Sequence, residues 1–377
     1  FDPSAWDSVT AAYDTSVRRD RGRSITPLYG LRFNKAEGLH LDAGGSLRDL
    51  RLRIAELELR AGYDLGRERP AGAIRARVDL DPKGRWGIEA EAADQVRPFG
   101  NYQPYGNTWF TLFAGYDAMQ FQRERRFSVA ATRRFSEDRR ARLGWVRLEQ
   151  DPLPPVTDAH LFGSGDWMER NEAAERFTGN GLQLHLRRGA SYEDETVIDG
   201  LITETELMVF GGELLRGTRE FSRLQADAWY TRLNRRSAAL HIYGSASLAT
   251  GDAPRQAWPD LGGAAGLRAF PPRGEETGNH LVGTQRLFFR VEGRSPSATL
   301  RAKRVKALRN LGLKLVPFAE VGAVWGLEPG RLDAKIREIR SIPQIREIRG
   351  WSELRAPRRS EVHWDLGFGL RRDVDYS

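Results

Sequence analysis

Six histidines, His40, His160, His185, His241, His280 and His363, are the side chains best suited to hold a metal or shuttle a proton in a chain that contains no cysteine. They are scattered along the sequence, and none forms the helical zinc pair or a short-spaced ligand cluster. Gly163-Ser164-Gly165 sets a serine between glycines but lacks the spacing of a nucleophile elbow. Carboxylates are abundant, yet a catalytic pair of them can be located only once a fold brings distant positions together. No catalytic, cofactor-binding or metal-binding set is therefore assigned and no cofactor is expected; a lipase or protease site gathered from separate strands is the one enzymatic reading left open.

Positioning depends on the elements, and composition narrows these. The 377 residues carry a net charge of +8, but the arginines recur between apolar neighbours instead of forming one tract, and no nucleic-acid recognition motif accompanies them. Nucleic acid is not an expected partner. No run approaches the roughly 20 consecutive apolar residues that a membrane helix needs. The absence of cysteine suits an oxidising compartment. The chain opens Phe1-Asp2-Pro3, with neither an initiating methionine nor a basic then apolar leader, as expected of a mature or truncated product.

The dominant pattern has a period of two. In 55–65, Ala55, Leu57, Leu59, Ala61, Tyr63 and Leu65 alternate with Glu56, Glu58, Arg60, Gly62 and Asp64. Ile74, Ala76, Val78 and Leu80 oppose Arg75, Arg77 and Asp79; after the turn signal Asp81-Pro82-Lys83-Gly84, Trp86, Ile88, Ala90 and Ala92 oppose Gly87, Glu89 and Glu91. Similar alternation at 27–34, 38–46, 109–121, 125–135, 138–149, 180–188, 204–216, 220–232, 236–249, 281–292, 311–325 and 361–371 gives close to fifteen strands.

A soluble sandwich also alternates, so the period alone does not choose between solvents. Large charges on the polar face, such as Arg286, Arg290 and Glu292 against Leu287, Phe289 and Val291, favour a sheet closed in lipid around a polar lumen. Tyr63, Trp86, Trp109, Trp145, Tyr230 and Trp325, near segment ends, are expected to form interfacial girdles. Three long connections, at 150–178, 250–280 and 326–360, are assigned to the outside and the short turns to the periplasm. The last holds a repeated pentad, Ile336-Arg337-Glu338-Ile339-Arg340 and Ile345-Arg346-Glu347-Ile348-Arg349. The basic stretch at 293–310 should be a periplasmic turn by alternation of sides.

Leu261 to Phe270, then Gly278-Asn279-His280 and the strand Gly283 to Arg290, resemble the C-terminal barrel of the BamA-type superfamily, the bacterial surface antigen family. In that family a sixth extracellular loop folds into the lumen and carries an arginine in a V/I-R-G-F/Y motif. Leu267-Arg268-Ala269-Phe270 matches three of its features, with Ala269 in the place of glycine. Phe318-Ala319-Glu320-Val321-Gly322-Ala323-Val324-Trp325 resembles the receiving strand, in which an aromatic residue, an acid and a glycine face inward. Trp364 to Arg371 resembles the strand after the seventh loop, and Tyr29 to Leu39 an early hairpin of such barrels.

What the resemblance implies is an all-β transmembrane antiparallel barrel of the outer membrane, sixteen-stranded when complete. Residues 1–377 would be a single barrel domain, incomplete at the C-terminus and lacking a periplasmic POTRA module at the N-terminus. Its expected role is assembly or translocation of polypeptides, without enzymatic activity. The implied loop lock is Arg268 with Glu320, with Phe270 and Phe318 packing beside it and Gly322 leaving room. Outer-membrane lipid and lipopolysaccharide, client polypeptides and periplasmic accessory proteins are the expected partners. A porin-like small-molecule channel and a barrel anchoring a missing N-terminal domain are the alternatives.

Overall fold

The computed structural model describes residues 23–49, 52–100, 107–115, 117, 119–136, 138–162, 171, 174–189, 200–211, 215–233, 239–263, 266–270, 281–294, 313–326 and 356–372. These form one antiparallel sheet of fourteen strands in simple sequence order. The strands are β1 (Arg23–Asn34), β2 (Gly38–Asp49), β3 (Ile54–Asp64), β4 (Arg69–Asp79), β5 (Trp86–Phe99), β6 (Gln120–Ser136) and β7 (Arg139–Pro152), then β8 (Phe177–Arg188), β9 (Gly200–Phe210), β10 (Phe221–Leu233), β11 (Ala239–Gly251), β12 (Gln285–Arg294), β13 (Leu313–Trp325) and β14 (Val362–Arg372). Each pairs with its neighbour in sequence, so β1 and β14 are the two edges of the described sheet.

The sheet is an inside-out object. Large apolar side chains stand exposed on one face of nearly every strand, among them Leu59 at 58%, Leu143 at 58%, Phe289 at 45% and Phe368 at 74%. The opposite face buries charge and amide: Glu91, Glu124, Gln183, Glu204, Asp227, Arg286, Arg290 and Glu320. Soluble monomers rarely expose contiguous apolar patches beyond a few hundred Å². A face of this extent is at equilibrium only against an apolar solvent, and the sheet is of the all-β membrane-protein kind. None of the described helices is long and apolar enough to cross a membrane.

The polar face is concave, because side chains two strands apart meet across it: Arg142 of β7 lies 3.2 Å from Glu89 of β5, and Arg126 of β6 donates to Gln183 of β8 at 2.9 Å. At one end of the sheet, the loop end, the connections after odd-numbered strands are mostly long; at the other, the turn end, several are tight. The turn at 81–84 forms as its residues demand. Gly84 adopts φ +60°, and the Asp81 carboxylate accepts the amides of Lys83 (2.9 Å) and Trp86 (2.6 Å), of which the Trp86 bond does most to hold that carboxyl below its ordinary range.

The expected strand at 109–121 is not one. Its first part lies in a helix, α1 (Asn107–Ala114), ended by Gly115 at φ +62°, while Gln120 already belongs to β6. Alternation misled because α1 packs on β1: Thr111 is fully buried and the Phe33 amide donates to Thr108 Oγ1. Among the expected girdle residues, Tyr63, Trp86 and Trp145 are exposed on the apolar face, whereas Trp325 is buried and Trp109 falls in α1. The repeated pentads lie outside the described residues, as does nearly all of 293–310.

Candidate functional site

The connection between β11 and β12 leaves the loop end and comes to rest on the concave face. A 3-10 turn, Arg255–Ala257, anchors its start, where the Gln256 amide donates to Gln150 Oε1 of β7 (3.0 Å) and to the Glu175 carbonyl (2.8 Å). Trp258 then joins an apolar cluster with Val146, Leu148, Phe177, Met208, Phe210 and Phe221, which draws β7 to β10 and the loop together. Further on the chain doubles back. Gly263, at φ +82°, allows the reversal, the Leu267 amide donates to the Leu261 carbonyl at 2.6 Å, and the Gly263 amide donates to the Phe270 carbonyl at 3.0 Å.

This reversal puts Arg268 at the wall. Its backbone amide donates to Glu320 Oε2 (3.0 Å), its Nε lies 3.2 Å from Glu320 Oε1, and its outer guanidinium nitrogen bonds Glu292 of β12. The guanidinium also lies over the Phe318 ring, 4.3 Å from the centroid. Glu320, whose side chain is fully shielded, accepts in addition from Arg290 Nε at 2.6 Å, and Arg290 donates onward to the Gly266 carbonyl at 2.6 Å. One carboxylate thus joins a loop arginine, a wall arginine and a loop amide. Charge balances locally, two arginines against Glu292 and Glu320, which is what makes burial of so many charges tolerable.

The other expected residues meet at the same place. Phe270 packs edge-on against His363 of β14, with ring centroids 5.1 Å apart. At Gly322 an added Cβ would lie 2.8 Å from Leu261 and 3.0 Å from the Leu287 carbonyl, so only glycine lets the buried Leu261 side chain seat against β13. Ala269 is exposed and avoids the left-handed region, which explains why alanine fits; its amide donates to Asp365 Oδ2 of β14 at 2.8 Å. Arg290, Glu292 and Asp365 escaped assignment to this site. Sheet register carries their signal: Arg290 stands opposite Glu320, and Glu320 opposite Asp365.

A second buried cluster sits at the loop end of β1 to β3. Glu37 accepts from Arg32 through both carboxylate oxygens, at 2.6 and 2.8 Å, and from Asn34; His40 Nδ1 lies 2.5 Å from Asp64. Glu37, His40 and Asp64 offer ligand atoms within 4.8 Å of one another, a grouping that their sequence spacing does not reveal. Because Arg32 already spans both Glu37 oxygens, the cluster is an ion-pair network and not an open donor set. Beside it, in the β1–β2 turn, buried Lys35 donates to the Asp117 carbonyl at 2.8 Å, and its own carbonyl accepts the Val156 amide at 2.8 Å. Burial pulls the Lys35 ammonium down to about 8, outweighing the opposing charge of Asp117.

No protein-family model matches the chain, and no curated protein sequence matches it. Among solved structures, BamA from Haemophilus ducreyi lacking POTRA domains 1-3 is similar over 94% of this chain, at 11% identity and a TM-score of 0.56. The chain spans about 65% of that structure's length. CdiB from Acinetobacter baumannii (11% identity, 80% of this chain and 49% of that one, TM-score 0.38) and CdiB from Escherichia coli (11%, 79% and 51%, TM-score 0.39) overlap more loosely and add nothing to the fold. At such identities the likeness to BamA is one of fold.

Two outcomes are expected. Glu320→Ala removes the nearest carboxylate from Arg290, leaving it the Gly266 carbonyl and Glu292 at 3.9 Å, and should cost about 3–5 kcal/mol of unfolding free energy, the usual result of breaking a buried pair. Arg268→Ala leaves Glu320 paired with Arg290 and should cost about 1–2 kcal/mol; denaturant titration of the folded protein in detergent checks both. At Lys35 the unfolded chain holds its proton up to the ordinary 10.5 while the folded chain releases it near 8, so the β1–β2 turn carries its full penalty below pH 8 and gains stability as pH rises from there. The hydrogen-exchange protection factor of the Val156 amide should rise between about pH 7 and about pH 10 and stay flat in Lys35→Met; a flat wild-type profile would contradict the assignment.

Proposed function

We propose that this chain forms the wall of a transmembrane β-barrel of the outer membrane that assembles or exports polypeptides, with the β11–β12 connection as an extracellular loop folded inward. The fold shared with BamA and the inside-out sheet support the location. The observation that carries the reading is Arg268, brought by its loop onto inward-facing Glu320.

A loop held in this way restricts the lumen and braces β12 to β14, the strands that lead to one edge of the described sheet. That edge matters. The outward side chains of β14, Trp364, Leu366 and Phe368, are between 70% and 74% exposed, and those of β1 include Ile25 at 67% and Tyr29 at 63%. These two strands are the edges of the described sheet, and a barrel wall that opens along such an edge presents unpaired backbone to an incoming strand. The role is non-catalytic and needs no cofactor. Lipid and lipopolysaccharide surround the wall; client polypeptides and periplasmic accessory proteins are the macromolecular partners.

Two measurements on the full-length protein in lipid test this. In planar bilayers wild type should show small, flickering conductance that becomes large in Glu320→Ala and, to a lesser degree, in Arg268→Ala. In vesicles the protein should accelerate insertion of an unfolded outer-membrane barrel over protein-free vesicles. Steady large conductance, unchanged by either substitution, together with no acceleration, would replace this reading with a porin.

A further inference from the structure

The turn ends of β6, β7 and β8 gather six arginines. The register sets Arg134 opposite Arg140, Arg140 opposite Arg187, and Arg139 opposite Arg188, although like charges directly across a ladder repel. Asp138 is the acid described in the adjoining turn; it accepts from Ser136 Oγ at 2.6 Å and lies 3.9 Å from Arg139. The loop ends of the same strands are different. There Arg123 pairs with Asp94, Arg125 with Glu149 and Asp151, and Arg147 with Glu149. On the outward face, cations are neutralised at one end of this wall and accumulate at the other, whereas inward-facing Arg187 has Glu204 of β9 opposite it.

Arg133 shows what the accumulation faces. It is exposed on the apolar face, and among the described residues it meets no carboxylate; its guanidinium lies between the rings of Trp86 (4.7 Å) and Phe135 (4.6 Å). Along β6 that face runs Arg123, Arg125, then Phe127, Val129 and Ala131, then Arg133 and Phe135. Eight residues at about 3.4 Å each separate Arg125 from Arg133, and a tilt of about 40° reduces this to roughly 20 Å of height, near the ~25 Å apolar band of outer-membrane barrels. Arg133 therefore stands at the hydrocarbon boundary, with an aromatic ring on either side.

We propose that this rim binds the phosphate of an anionic phospholipid headgroup, with Arg133, presented between Trp86 and Phe135, as the primary contact and Arg139 and Arg188 flanking it. The inference rests on the membrane reading above and adds a headgroup preference at a defined place. The rings flank the guanidinium, planar by resonance, and leave its edge to a phosphate, and aromatic side chains bordering an apolar strip favour a lipid over a soluble acidic partner.

The test uses the full-length protein in phosphatidylcholine vesicles containing an equal small fraction of either brominated phosphatidylglycerol or brominated phosphatidylcholine. Quenching of Trp86 is read as the difference between wild type and Trp86→Phe. The expected result is about fivefold stronger quenching by the anionic lipid, the enrichment that one basic residue gives beside an anionic surface. This preference should vanish in Arg133→Gln, persist in Arg133→Lys, and be untouched by Arg147→Gln at the opposite end. Equal quenching by the two lipids in wild type overturns the headgroup site while leaving the membrane reading intact. Absence of quenching by either overturns both. A preference that soluble poly-glutamate abolishes reassigns the rim to acidic polypeptides.

Discussion

An apolar solvent on the convex face leaves backbone amides no water to bond to, so each strand depends on the next for its hydrogen bonds. The fourteen strands answer this with an unbroken chain of antiparallel neighbours, and the side chains follow from it. Leu143, Val129 and Phe289 can point outward because the solvent there is apolar; Arg142, Ser128 and Arg290 are turned inward by the same pleat. A register slip of one residue would send a whole row of charges into lipid, which fixes the register more firmly than any single contact.

Turning charge inward creates a second requirement, since a concave face crowded with arginine and glutamate has to be neutralised pair by pair. Glu320 is where this is most concentrated: Arg268, Arg290 and a loop amide converge on one shielded carboxylate. The loop is part of the charge balance of the wall, so its position and the integrity of β12 and β13 stand or fall together. The loop's apolar residues add to this. Leu261 and Leu267 are fully buried against Phe288 and Val324, and glycine at 322 gives Leu261 its seat.

Much of this was legible in the sequence because period two needs no tertiary information. Strands such as 55–65 and 86–92 declare both faces by themselves, and the Leu267 to Phe270 tetrad marked the loop that reaches the wall. The segment at 109–121 was misread because Trp109, Phe110, Leu112 and Phe113 look amphipathic under more than one period, and only packing against β1 decides for a helix. The Glu37, His40 and Asp64 network was hidden because its members come from the β1–β2 turn, β2 and the far end of β3. Arg290, Glu292 and Asp365 were visible as polar-face residues, yet their convergence on the loop required the register.

The central claim is that the two faces of the sheet meet different solvents, and a chain without cysteine allows it to be read one residue at a time. Single cysteines placed in turn at Glu56, Leu57, Glu58, Leu59, Arg60 and Ala61 of β3, with the protein reconstituted in vesicles, would be challenged with a charged, water-soluble maleimide and with a lipid-soluble one. The account requires strict alternation: even positions react with the charged reagent, odd positions with the lipid-soluble reagent alone. Reaction of the odd positions with the charged reagent, at rates equal to the even ones, would mean that both faces meet water, and the membrane-embedded sheet would have to be abandoned.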